Sequence, residues 1–366
     1  MPIYELGYRA WAGERVPAIR RWLAITRTEC AIAYRGSKLL RRALFLAWMP
    51  LLYFGPLFFA VGWVADQGNS LTEGSILAEM LREFISPQLV EQLHQHPGLF
   101  LPSVWALVFF FYFAYVQSFL AMIVLAIAGP PLVSKDLRSK AFLLYFSKPI
   151  GYWEYYLGKL GAVLVFLGGI TLLPALFLYL VSIIFSPAGT TTLFGTGLIL
   201  ARIVAASLVI SLPLATVVLL LSSLTRDRRI ATFGWMALWI MGEVAFRMVS
   251  FEVYGARPAD PTAWSFLLSL REVSVLASSG IFDISGHAAA LHADLGAMGV
   301  DLDQMVRNLG VEGTLAEELR RGIALAEGEA GAAGPTRTII SFLVLALVTG
   351  IGSFLVVRRV SRPVRI

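Results

Sequence analysis

The chain has 366 residues, of which 57% are hydrophobic and only 15% charged, with a formal net charge of +6 and a mean hydropathy of +0.73. A soluble globule of this length would need far more polar surface, so the composition excludes that class and predicts an all-α polytopic membrane protein. A lone cysteine, Cys30, excludes an intrachain disulfide and any Cys-x-x-Cys redox or zinc motif.

Residues 1–42 carry nine Lys/Arg against three Glu. At 100° per residue, Trp22, Ile25, Ile32, Leu39 and Leu40 gather on one side, and Arg20, Arg27, Arg35, Lys38 and Arg42 on the other. That pattern predicts an amphipathic helix along the inner leaflet, its cations near lipid phosphates. The basic patch does not point to nucleic acid, because an apolar run follows directly. That run begins only near Ala43, so no cleavable signal peptide is predicted.

Six apolar runs are long enough to cross a bilayer as helices: Ala43–Ala65, Leu101–Ala128, Leu160–Phe185, Phe194–Leu224, Ile230–Val249 and Thr338–Val357. Pro174 with Gly168 and Gly169 predicts a kink in the third, and Pro213 one in the fourth. Gly350 and Gly352 in the sixth could admit a close neighbour.

The connections alternate in charge. Residues 1–42, Gly129–Lys159, Thr225–Arg229 and Arg358–Ile366 are all net basic. Asp66–Phe100 has five acids and one base, and Ser250–Pro335 twelve acids and five bases. The positive-inside rule then places both termini in the cytoplasm and the acidic loops outside. The outer loop 66–100 is predicted to hold an amphipathic helix around Ile76–Leu93. The outer region 251–336 begins with a stretch, PTAWSFLLSLREVSVLASSGIFDI, apolar enough to dip into the membrane or pack on the bundle. It continues as short helices such as Thr314–Glu327. The predicted plan is an N-terminal segment (1–42), five spans (43–250), that outer helical region, and a last span with a basic tail (337–366).

Between the second and third spans, Gly129, Pro130 and Pro131 should end the membrane helix. A new helical pattern runs from Val133 (Val133, Leu137, Ala141, Tyr145) until Pro149 stops it, and a short helix, Tyr152 to Lys159, leads into the next span. The spacing of Gly129, Ser134, Asp136, Lys148-Pro149-Ile150 and Gly158-Lys159 resembles the loop between the second and third membrane helices of type-2 exporter permeases of the ATP-binding cassette (ABC) family. The resemblance is specific over about thirty residues. It departs at Gly151 and Tyr152, where the family more often has a small hydroxyl residue and a basic one.

The resemblance implies a permease subunit of an ABC exporter in the inner (plasma) membrane, in keeping with a bacterial source. It implies an elbow helix in the N-terminal segment, a coupling hairpin at 129–159 and a short helical hairpin before the last span. Partners so implied are a cytosolic ATPase subunit, a second permease subunit of the same or a different kind, membrane lipids and an optional extracytoplasmic protein. ATP and magnesium would sit on the ATPase, so this chain would be no enzyme and carry no cofactor. Asp136, Arg138, Lys148, Pro149 and Glu154, with Arg27 and Arg35 on the elbow, are the positions expected to couple to it. Two other readings stay open: a membrane anchor or scaffold of an envelope machine using the same ATPase module, and an ATP-independent carrier.

The residues carry no nucleotide site of their own. Gly151 to Lys159 has the wrong spacing for a phosphate loop, and Leu160 stands where a hydroxyl should bind magnesium. His94, His96, His287 and His292 all fall on the predicted outer side and read as loop histidines, not metal ligands. Three ionisable residues lie inside spans: Arg202, Glu243 and Arg247. Charges there are costly, and Glu243 is expected to pair with Arg247, with Arg202, or with both.

Overall fold

The computed structural model describes residues 17–56, 97–141, 145, 150–184, 189–252, 265–297 and 336–361. Among them there are helices and no strands. In order these are α1 (Ala18–Gly36), α2 (Lys38–Leu46), α3 (Pro97–Phe111), a π-helical segment (Tyr112–Gln117), α4 (Ser118–Ala128), α5 (Pro130–Ser139), α6 (Tyr152–Ile170) and α7 (Leu172–Ile184). Next come α8 (Gly189–Leu224), α9 (Arg228–Glu252), a 3-10 turn (Ser265–Leu268), α10 (Leu270–Phe282), α11 (Ile284–Ala297) and α12 (Thr336–Ser361).

Among the described residues four helical stretches are long and apolar enough to cross a membrane: Pro102–Ser139, Tyr152–Ile184, Gly197–Leu224 and Thr336–Ser361. This fits a multi-pass membrane protein. The expected count was six. In the first expected span α2 ends at Leu46, residues 47–50 form turns, and helix resumes over 51–56; the remainder lies outside the described residues. Pro50 explains the break, because it has no amide to return to the Leu46 carbonyl. The amides of Trp48 and Met49 instead reach back three residues, to Phe45 and Leu46. The fifth expected span forms one helix, α9, of 25 residues, about 37 Å long. Glu243, Arg247 and the arginines at its start keep it out of the apolar set.

α8 is the post around which the rest is arranged. It touches α3, α4, α5, α6, α7, α9, α10 and α12, and Ile203, Ala206, Leu214, Ala215, Val218 and Leu219 along it are buried. Inside lipid no hydrophobic drive holds helices together, so close packing and small hydroxyls must do so. Thr171 Oγ1 meets Ser207 Oγ of α8 at 2.8 Å. Tyr156 OH lies 2.7 Å from Ser353 Oγ of α12 and 3.3 Å from Thr216 Oγ1 of α8. Gly352 does admit a neighbour, since a Cβ there would stand 2.6 Å from Thr216, whereas Gly350 faces open space.

The prolines act as the spans' punctuation, with differences from expectation. The third span breaks at Thr171, three residues before Pro174, which cannot donate to Ile170. Trp48 Nε1 donates to the Gly169 carbonyl beside the break (3.1 Å). α8, by contrast, continues as one helix through Pro213. Pro130 and Pro131 do not end the helical path; they open α5 as its first residues after the Gly129 joint. Gly129 has no side chain to cap the new helix, so α8 caps it. Ser222 Oγ accepts the Val133 and Ser134 amides (3.1 and 3.0 Å) and donates to the Pro130 carbonyl (2.6 Å).

α5 ends well before Pro149. Lys140 takes a left-handed conformation, φ 55°, and closes the helix after Ser139. Pro149 itself lies outside the described residues, as do His94, His96 and the stretches around Ile76–Leu93 and Thr314–Glu327. The second helix of the loop does not stop at Lys159 but runs on as α6 to Ile170. The region before the last span contains a helical hairpin, α10 and α11, turned at Asp283 (φ 52°). α10 packs against α3, α8 and α12 and is buried on most sides.

The basic arc of the N-terminal segment is exposed at every position, Arg20, Arg27, Arg35, Lys38 and Arg42. The apolar arc is divided, because the segment is two helices joined at Ser37, whose side chain caps α2 through the Leu40 amide (3.1 Å). Ile25 and Leu40 are buried, while Ile32 and Leu39 are exposed. α1 is therefore held by protein: it packs along the first half of α6. Two glycines permit this, since a Cβ on Gly158 would stand 2.6 Å from Ile25 and one on Gly161 2.6 Å from Thr26 Oγ1. Thr26 Oγ1 in turn donates to the Gly158 carbonyl at 2.9 Å. Gly158→Ala should therefore destabilise by about 1–3 kcal/mol through overpacking. Gly168→Ala, where a Cβ meets nothing within 4 Å, should not destabilise. Thermal unfolding in detergent separates the two, and equal midpoints would contradict this account of the α1–α6 contact.

Candidate functional site

The contact of α1 with α6 encloses a charge cluster. Lys159, one residue past Gly158, is 1% exposed and sits between two carboxylates. Its Nζ lies 2.7 Å from Glu29 Oε1 on α1 and 2.7 Å from Asp136 Oδ2 on α5. Tyr155, one turn earlier on α6, donates its hydroxyl to the same Asp136 oxygen at 2.7 Å. The ammonium also lies over the Tyr155 and Tyr145 rings, 5.3 and 5.8 Å from their centroids. Three helices that are distant in sequence thus meet on one cation.

A buried ammonium is tolerable only when compensated, and here two carboxylates compensate one charge. The surplus negative field registers on neighbours. Burial, then Asp136 and Glu29, push the Tyr145 phenol up to about 12. Burial and Glu29 push the Cys30 thiol up to about 11. Cys30 is accordingly a neutral thiol packed near the Ala162 carbonyl (3.8 Å). Beside the cluster Arg21 of α1 reaches Glu154 of α6 at 3.3 Å. Glu154 also accepts the Gly151 amide (3.1 Å) and so caps the start of α6.

The seven expected coupling positions separate accordingly. Arg27, Arg35 and Arg138 are exposed. Asp136 is turned inward and bound to Lys159 and Tyr155, and Glu154 is half-buried against Arg21. Lys148 and Pro149 lie outside the described residues. The outer face of α1 exposes Arg20, Arg27 and Arg35 beside the small side chains of Ala24, Thr28 and Ala31. Lys159 and Glu29 were not among the expected positions. Their signal was present: Glu29 falls one turn after Ile25 on the apolar side of α1, and Lys159 sits at the threshold of an apolar run.

Of the charges expected inside spans, Glu243 pairs with Arg247 as expected, and Arg202 stands in a separate group. Glu243 Oε1 accepts from Arg247 Nε and from Arg271 Nη1, each at 3.0 Å. Arg271 also holds Glu272 (2.9 Å), and Ser269, the N-cap of α10, donates to Glu243 Oε2 (3.3 Å). Arg271 belongs to the outer stretch that was expected to dip into the membrane or pack on the bundle. The close packing of α10 and its preceding turn against α9 brings it to Glu243: a Cβ on Gly242 would stand 2.9 Å from the Leu268 carbonyl. Arg202 takes no part. Its Nη1 donates to the Phe282 carbonyl (3.1 Å) and to His287 Nε2 (2.9 Å), while Ser103 Oγ lies 3.0 Å from His287 Nδ1.

No family model matches the chain, and no curated protein matches it. Among the described residues no three His, Cys, Asp or Glu side chains gather as a metal site would require.

Two outcomes test this geometry. Lys159→Met leaves Glu29 and Asp136 without their cation, and removing one partner of a buried pair costs about 3–5 kcal/mol. Adding Glu29→Gln and Asp136→Asn should recover much of the loss in thermal unfolding. The second concerns His287, whose pKa is lowered from 6.5 by burial first and then by Arg202. A group with a depressed folded pKa stabilises fully above its unfolded value and loses that contribution as pH falls through the folded one. The unfolding midpoint should therefore decline as pH drops below 6.5. His287→Gln should flatten that slope.

Proposed function

We propose that the chain is the membrane-spanning permease subunit of an ABC exporter, driven by a separate cytosolic ATPase that binds ATP and magnesium. In this reading six helices cross the inner membrane and both termini lie in the cytoplasm. α1 is the elbow helix and residues 129–159 the coupling hairpin. Two permease subunits line the pathway, and conformational work enters at α1 and α5.

The observation that carries the reading is the Lys159 cluster. A coupling element must transmit force without bending, and Lys159 ties α5 to both α1 and α6 through 2.7 Å contacts in a buried setting. α6 then runs from that point directly toward the Thr171 joint. Around the cluster Arg27, Arg35 and Arg138 face outward, where an acidic surface of an ATPase could meet them. Asp136 in this scheme is a positioning residue that holds α5 to α6, and Arg138 makes the contact. The Lys/Arg asymmetry of the connections supports the cytoplasmic side for this end.

The test is co-expression with an ABC ATPase of the same source, sought first among the genes that adjoin this one. Arg27→Glu, Arg35→Glu and Arg138→Glu together change only exposed side chains, so thermal stability should stay near wild type while ATPase co-purification falls at least tenfold. Undiminished association of the triple variant would remove the proposal.

A further inference from the structure

Arg202 is a cation inside an apolar helix, and one edge of its guanidinium is unused. It lies five residues into the apolar stretch Gly197–Leu224, about 8 Å along the helix. Twenty residues, about 30 Å, separate it from Ser222, which caps α5. It therefore sits at the opposite end of the bundle from the Lys159 cluster. A guanidinium carries five N–H donors. The two on Nη1 are directed at the Phe282 carbonyl and His287 Nε2. Nε and Nη2 have no partner among the described residues. Arg202 is only part-buried.

Both acceptors that hold Arg202 are neutral. The arginine is always protonated, so Nε2 of His287 must be its lone-pair side, and Nδ1–H faces Ser103 Oγ. The Phe282 carbonyl ends α10 and contributes only the partial charge of a helix C-terminus. The carboxylates of Glu243 and Glu272 are taken by Arg247 and Arg271. Asp283 bears on His287 through its charge but makes no ion pair with Arg202. The result is a cation with no ion-pair partner among the described residues, fixed along Nη1 by α3, α10 and α11 and presenting two parallel N–H groups on its other edge.

We propose that this free edge of Arg202 binds a monoanionic oxygen group, a carboxylate or a phosphate, at the membrane end opposite Lys159. Paired oxygens of such a group match the Nε–Nη2 fork in a bidentate contact, which an ammonium cannot make. His287 and Ser103 act as positioning residues that keep the fork aimed outward. The site stands independently of the exporter reading, and its test needs no ATPase.

The experiment uses the purified full chain in uncharged detergent, titrated separately with dihexanoyl phosphatidylglycerol, dihexanoyl phosphatidylcholine, inorganic phosphate and acetate, with binding read by isothermal calorimetry. Saturable binding of phosphatidylglycerol alone identifies a lipid headgroup. Saturable binding of phosphate or acetate that competes with phosphatidylglycerol identifies a soluble anion. In either case Arg202→Lys, which keeps the charge and loses the fork, should weaken binding at least tenfold. Ser103→Ala, a one-atom change, should weaken it about threefold. Absence of saturable binding by all three anions, or affinities unchanged in both variants, overturns the proposal.

Discussion

The ammonium of Lys159 is the interaction on which this architecture depends. Glu29 is 130 residues away from it in sequence, and Asp136 belongs to a third helix, so the cation decides how α1, α5 and α6 come together. The glycines beside it and the charge upon it are one device. Gly158 and Gly161 let α1 come close enough for Glu29 to reach Nζ. Without the cation, that close approach would bury Glu29 and Asp136 together in an apolar setting. Buried ion pairs add little net stability compared with apolar packing, but removing a member is severe. Their contribution is therefore to a single arrangement, because any slip of α1 along α6 would strand a carboxylate.

The same economy holds along α8, where hydroxyls take over from charge. Ser222 caps a helix that its own sequence cannot cap, since Gly129 has no side chain and Pro130 and Pro131 have no amides. Ser207 meets Thr171 where Pro174 has interrupted the third span. Thr216 and Ser353 share the Tyr156 hydroxyl. Each of these side chains is small enough to leave the helix packing undisturbed, and each stands where a backbone irregularity or a buried polar group needs a partner. A membrane interior offers no water as an alternative, so such positions are obligatory and not ornamental.

What the sequence made legible follows from how local each cause is. Helix type, approximate extent and the joint beside Pro174 come from residues acting on their immediate neighbours. The end of α5 at Lys140 did not, because a lysine in the left-handed region carries no glycine or asparagine signature. The hydropathy of Ala43–Ala65 likewise hid the break at Pro50. The expected pair of Glu243 with Arg247 is present, and what the sequence did not show is the third partner. Glu243 and Arg247, four residues apart on one helix, were readable as a pair, whereas Arg271 joins them only because α10 and its preceding turn pack against α9. Asp136 was expected at a coupling contact, and the structure buries it against Lys159 and Tyr155, where it ties α5 to α6.

The three charge groups differ in balance. Glu243 and Glu272 face Arg247 and Arg271, two of each sign. At the Lys159 cluster two carboxylates face one ammonium, and at Arg202 one guanidinium faces only neutral acceptors. An imbalance in a low-dielectric interior must be answered from outside it. Around Lys159 the answer lies in the chain itself: Arg21 on Glu154, and the exposed Arg27, Arg35 and Arg138 nearby. At Arg202 the described residues supply no ion-pair partner. On the two proposals above, the ends of the bundle would recruit different groups: acidic protein surface at the exposed arginines beside the Lys159 cluster, and small anionic groups at Arg202.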